Sequence, residues 1–210
     1  MEEITTISSA QEFLRTFVVE RNWLDFPNID KIDHLQEELG EILSPFQGND
    51  SIEDVLKRKD EIVDGVGDLY FALCRLSNQL GVNLEEAFET AAKTEYGSLQ
   101  YDRTIRSSQQ YVKQHDIPTL ECLERVLLRN FVLVHNSLSQ LSKPIRYQEQ
   151  EQREAIVHEK HIEYVEAMGM LYINVCRLEN SLNIDVQDAF NVVCERIVKK
   201  YPPGMTECKL

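Results

Sequence analysis

The sequence predicts an all-α fold, and three of its features carry that prediction. Apolar residues recur at spacings of three and four: Ile62, Val66, Leu69, Leu73, Leu76 and Leu80 form one helical face. No stretch alternates apolar and polar residues between Asn-Gly or Asp-Gly turns, as hairpin strands would. Residues 64–88 and 166–190 align without a gap at an offset of 102, matching Gly67/Gly169, Tyr70/Tyr172, Cys74/Cys176, Arg75/Arg177, Asn78/Asn180 and Phe88/Phe190. The chain is thus a tandem duplication of a unit about half its length. Helical hairpins of that size bury their apolar faces only by stacking. The expected architecture is one helical bundle of two repeats packed as an internal pseudo-dimer, with the third helix of each near the axis.

The elements follow from local punctuation. Ser9-Ala10-Gln11-Glu12 reads as a capping box opening a first helix that runs to about residue 22. Pro27 and Asn28 open a second, ending near Pro45. Ser51-Ile52-Glu53-Asp54 opens a third that runs to about Leu80, where Gly81 suits the stop. Asn83 caps a fourth, ending near Gly97. This makes 1–96 the first repeat. Residues 97–118 are polar and weakly periodic and read as a connector. The second repeat, 119–202, has helices over about 119–142, 148–181 and from Asp185 to Tyr201, and 203–210 form a tail.

Composition excludes several classes. A net charge of −14 over 210 residues disfavours binding the backbone of a nucleic-acid polymer, which requires basic surface. It leaves nucleotides open, because a divalent metal inverts the local sign. No apolar run approaches ~20 residues, so no spanning helix and no membrane partner are expected. The opening MEEITTISSAQEF is unlike a secretory signal. The five cysteines include no C-x-x-C pair, and Cys74 and Cys176 lie in apolar helical patterns. Buried reduced thiols in a cytoplasmic protein are expected. His158 and His161 lack a third ligand nearby and read as a solvated face. The matched Tyr70 and Tyr172 suggest packing, and the matched Arg75 and Arg177 suggest structural ion pairs or stems covering the bundle.

Carboxylates carry the chemistry. Glu38 and Glu41, beside Glu37, share a face of the second helix, while Glu61, Asp64 and Asp68 form a stripe on the third. Two such stripes facing each other concentrate negative charge, which is costly without a cation. Carboxylate oxygens suit Mg²⁺, with Mn²⁺ as an alternative, and such a site receives a polyphosphate. At the offset of 102 the second repeat puts Met170 opposite Asp68, Gln140 opposite Glu38 and Lys143 opposite Glu41, so only one metal site is expected.

The run from Phe17 through Glu20-Arg21-Asn22-Trp23 to Phe26 resembles the F-x-x-E-R-D-W-x-x-F opening of MazG-like nucleotide pyrophosphohydrolases. Glu37-Glu38-Leu39-Gly40-Glu41 is similar to their E-x-x-E motif, and Asp64 to Leu73, continuing to Leu80-Gly81-Val82, to their E-E-x-x-D helix and the following turn. The resemblance covers about residues 12–96, and 119–202 as a worn copy ending in Lys200-Tyr201-Pro202. It implies an all-α fold and Mg²⁺-dependent hydrolysis of a nucleoside triphosphate to the monophosphate and pyrophosphate. It also implies a site completed by paired subunits, for which this duplicated chain would be its own partner; a homodimer of such chains is a further possibility. Glu38, Glu41 and Asp68 would hold the metal with Asp64 or Glu61, and Glu37 or Glu41 would orient or deprotonate water. Trp23 and Phe26 would stack on the base. The pattern departs at Gly65, which replaces an acid, and at Ala91 and Glu95, which replace phosphate-binding residues; Lys93 and Arg103 are the candidate replacements. These departures leave a second reading open, a degenerate member that binds a nucleotide or a protein without turnover.

Overall fold

The computed structural model of the chain describes residues 2–23, 28–47, 54–55, 59–116 and 121–204. Among these the fold is all-helical, and the only strand-like feature is an isolated bridge between Thr6 and Thr104. The first repeat contributes α1 (Ile7–Glu20), α2 (Asn28–Leu43), a 3₁₀ turn (Ser44–Gln47), α3 (Lys59–Gln79) and α4 (Leu84–Tyr96). Then follow α5 (Ile105–His115), α6 (Leu123–Ser142), α7 (Gln150–Glu159), α8 (His161–Leu182) and α9 (Val186–Lys200).

Residues 51–53 of the expected third-helix opening lie outside the described residues, the helix expected from about 119 begins at Leu123, and three further differences are larger. Ser9 is the third residue of α1, and the capping side chain is Thr6, which exchanges hydrogen bonds with Ser9. The stretch 148–181 breaks at Lys160, giving α7 and α8. The stretch 97–118, expected as a connector, carries α5, opened by the same Thr-x-x-Ser box at Thr104 and Ser107. Its apolar signal is weak because Ser108 and Gln109 fill inward positions beside Ile105, Tyr111 and Val112. Both polar side chains are buried and bonded, so the face is internal without looking apolar.

Those bonds expose a correspondence that the ungapped alignment hides. Gln11 of α1 donates to the Val82 carbonyl and accepts from Leu84 N–H, while Asn78 donates to the Gln11 carbonyl. Gln109 of α5 does the same with Ile184, Val186 and Asn180. Each glutamine thereby satisfies backbone groups at the turn into the following helix. The turns also match: Gly81 (φ +66°) and Asn183 (φ +55°) are left-handed, and Asn83 and Asp185 cap α4 and α9.

The second helices pair at yet another offset. The inward residues of α2 are Lys31, Ile32, Leu35, Glu38, Leu39 and Ile42; those of α6 include Asn130, Phe131, Val134, Ser137, Leu138 and Leu141. These six coincide at an offset of 99, whereas 102 would set Glu38 against exposed Gln140. The burial pattern therefore corrects the earlier pairing: Glu38 corresponds to buried Ser137, and Glu41 to Gln140 rather than Lys143.

One continuous apolar core includes residues from both halves. The last helices cross over: α4 packs along α8, and α9 along α3. Two matched glycines permit this. A Cβ on Gly67 would stand 2.5 Å from the Ala189 carbonyl oxygen, and one on Gly169 would overlap the Ala87 carbonyl. Where the halves meet, Tyr70 and Tyr172 hydroxyls lie 3.2 Å apart. Ser108 Oγ donates to the Ile105 carbonyl and lies 2.7 Å from Tyr172 Oη. The protons therefore run from Tyr70 to Tyr172 to Ser108. Cys74, Cys176 and Cys194 are buried free thiols. No helix among the described residues is long and apolar enough to cross a membrane.

Candidate functional site

α2 and α3 lie side by side, and their groove carries two recesses of opposite character. At one end Glu41, Asp60, Glu61, Asp64 and Asp68 line a cleft of about 490 Å³ with Ser44, Pro45 and Gly65. Spacings of three and four on α3 put Glu61, Asp64 and Asp68 on one face. Glu38 lies deeper, 9% exposed, with Oε1 2.8 Å from His34 Nε2 and Oε2 buried without a partner.

The field in the cleft is strongly negative. Burial pushes Asp68 up to about 6; Glu38 and Asp64 push the same way, and the Arg196 guanidinium opposes them. Glu41 is also raised, first by burial and then by Glu38 and Glu37. Glu37 itself is exposed and does not line the cleft.

Arg196, from α9, is the principal positive group. Its Nη2 donates to both Asp68 oxygens at 2.8 and 2.6 Å, and its Nη1 to Asp64. This changes the expected geometry. Glu38, Glu41 and Asp68 share a region, yet among the described residues no three His, Cys, Asp or Glu side chains are grouped to hold a metal ion. Asp64 and Asp68 turn to Arg196 and Glu38 to His34, because each carboxylate takes the nearest cationic or donor partner. The donor set is nonetheless all hard carboxylate oxygen, and the buried unpartnered Glu38 Oε2 is an acceptor in need of a partner. Both features fit Mg²⁺ or Mn²⁺.

Gly65 also proves to be more than a missing ligand. A Cβ there would stand 2.8 Å from Ile42 Cγ1, so glycine lets α2 approach α3. A glutamate at 65 would have to displace the Ile42 side chain before adding an oxygen, whereas Glu61 and Asp64 already face the cleft.

Seven residues along α3 from Asp68, about 10 Å, Arg75 begins a second recess that α1 also walls, and the character inverts. Trp23, Leu14, Val18, Lys31 and Arg75 border a cavity of about 150 Å³. Trp23 is 2% exposed and packs edge-on to Phe17 and Tyr201 at 5.7 and 5.1 Å. Its rings belong to the core, while its Nε1–H is buried and unpartnered. Phe26 lies outside the described residues. Arg21 is equally structural: it donates to the Tyr201 and Phe17 carbonyls, tying the end of α1 to the segment after α9.

Lys93 and Arg103 are not brought to the cleft. Lys93 lies 3.8 Å from Glu89, and Arg103 pairs with Glu85 and Glu89 at 3.4 and 3.3 Å. The cause is the crossover, which carries α4 to α8 and lays α9 beside the acids instead. Sequence reasoning missed Asp60, His34 and Arg196. His34 was within reach as the i−4 partner of Glu38; Arg196 has no local signal.

No family model matches the chain, and no curated protein or solved structure matches it.

Proposed function

We propose that the chain is a Mg²⁺-dependent nucleotide pyrophosphohydrolase of MazG-like plan, cleaving a nucleoside triphosphate to the monophosphate and pyrophosphate. The observation that carries this reading is the α2–α3 groove. It sets a carboxylate cleft further along α3 from a cavity edged by an indole, a lysine and an arginine, and the facing edges of the two, Asp68 and Arg75, are about 10 Å apart along the helix, room for a phosphate chain between metal and base. The two repeats would act as an internal pseudo-dimer, a reading supported by the twin glutamine clamps and the reciprocal crossing of α4 and α9.

Glu38, Glu41, Asp64 and Asp68, with Glu61 at the rim, would hold the metal, which when bound neutralises phosphate charge and favours displacement at phosphorus. Glu41 is the group to orient water and accept its proton. It lines the cleft, and burial, followed by Glu38 and Glu37, raises its proton affinity above that of a free carboxylate. Exposed Glu37 acts on it only through charge. Trp23 offers an N–H and a rigid wall rather than a stacking face. The buried thiols suit a reducing compartment such as the cytoplasm.

The test is pyrophosphate release from a panel of ribo- and deoxynucleoside triphosphates with Mg²⁺ or Mn²⁺. The expected result is turnover that Asp68→Asn abolishes while the helical signal is retained. A specific observation favours a second reading, nucleotide binding without turnover: Asp64 and Asp68 are already paired with Arg196. Nucleotide binding without pyrophosphate release across the panel would select it.

A further inference from the structure

The acids of the cleft all come from the first repeat, but the cation that meets them comes from the second. Arg196 reaches from α9 across the crossover and spans Asp64 and Asp68, one turn apart on α3. Its side chain is 41% exposed, so the guanidinium can swing outward without opening the core. The remaining carboxylates around it are Glu38, Glu41, Asp60 and Glu61, and the only other group of positive potential among those described beside them is His34, held by Glu38.

A divalent cation and a guanidinium compete for the same two carboxylates. Arg196 already takes both oxygens of Asp68 and one of Asp64, and its positive charge repels a cation placed beside it. Once displaced, Arg196 remains on α9 at the rim, and a planar guanidinium is well matched to phosphate oxygens. We propose that Arg196 is the gate of the cleft: in the ligand-free chain it holds Asp64 and Asp68 in the cation's stead, and cation entry releases it to grip the phosphates of the nucleotide. This inference rests on the hydrolase reading and adds a residue from the repeat that lacks the acids.

Gating predicts two changes of opposite sign, which a merely structural ion pair does not. Mn²⁺ binding to the full chain is measured by electron paramagnetic resonance or calorimetry without nucleotide. Arg196→Gln should tighten it roughly tenfold, the scale of one removed charge at about 5 Å in a partly solvated site. Millimolar guanidinium added to the variant should weaken it again. Affinity for a nucleoside triphosphate with a methylene bridge between the α and β phosphates, measured with saturating Mn²⁺, should fall by a similar factor. Arg196→Lys, which keeps the charge but not the fork, should lie between the two, and serves as the readout if the glutamine variant loses its thermal transition. Equal Mn²⁺ affinity in wild type and Arg196→Gln overturns the gate alone. A tightened metal with unchanged analogue affinity overturns the release to phosphate. No Mn²⁺ binding in either folded chain overturns the metal-dependent reading itself.

Discussion

Four helices recur in the same order in the two halves of this chain, α1 to α4 in the first and α5, α6, α8 and α9 in the second, yet the halves differ where polar groups meet the core. In the first half, Ser77 of α3 is buried and bonded: it accepts from Gln11 at 2.9 Å and donates to the Cys74 carbonyl. At the matching place in α8 stands Glu179, fully buried, with neither carboxyl oxygen partnered. The reverse holds nearer the other end of these helices. Asp68 of α3 faces a charged cleft, and its counterpart Met170 packs against the core. Tyr172 has Ser108 to accept its proton, while the corresponding residue of α1 is buried Ala10. What is shared is the packing geometry of backbone and clamps. What differs is which half must accommodate charge, and that difference confines the candidate chemistry to one groove.

The comparison breaks most readily at its matched glycines. Gly67→Ala and Gly169→Ala should each cost about 3 kcal/mol, because the added methyl meets backbone carbonyl oxygen that no side-chain rotation relieves. Gly40→Ala is the control: its Cβ meets nothing within 4 Å and should stabilise slightly. Urea denaturation measures all three. If Gly169→Ala costs no more than the control, α4 does not approach α8 as described.

Glu179 gives the next effect, with a definite pH sign. Burial, followed by Asp185, raises its carboxyl well above the usual range. An acid with a raised folded pKa favours folding fully below its unfolded pKa, about 4.3. That contribution is lost as pH climbs from there toward the folded value. The penalty grows by at most about 1.4 kcal/mol for each pH unit above the unfolded value. Glu179→Gln should therefore gain on wild type as pH rises from 4 to 7 in parallel denaturation curves. A constant gap between the curves would mean the carboxyl is solvated or paired.

The tyrosines sharpen the comparison further. Tyr172→Phe strands the Tyr70 proton and a Ser108 lone pair and should cost about 2 kcal/mol. Tyr70→Phe removes only a donor at the end of the row and should cost about 1 kcal/mol. Equal costs would refute the proton order from Tyr70 to Tyr172 to Ser108.

Asp68→Asn should change stability least, by less than about 1 kcal/mol, since its ion pair with Arg196 is solvent-accessible. It should nonetheless remove Mn²⁺ binding. A large loss of stability instead would make Asp68 a structural anchor and leave the cleft without its metal role.

The sequence by itself determined the all-α class, the duplication, most helix boundaries and the grouping of Glu61, Asp64 and Asp68, because periodicity, caps and i, i+4 spacing are local properties of the chain. α5 escaped that reading. Its inward face is made of Ser108 and Gln109, whose burial is tolerable only through bonds to Ile184, Val186 and Tyr172, far along the sequence. The family-like opening was legible as a pattern, but its role was not. Arg21 and Trp23 lie against Tyr201, a contact that exists only once the chain has closed on itself. The cleft divides in the same way. Its acids were visible as stripes, yet Arg196 became their partner only because α9 crosses to α3. Gly65 became a spacing element only because α2 lies close beneath it. Interactions between residues on different helices depend on which helices touch, and helix contacts are settled by packing rather than by any local signal.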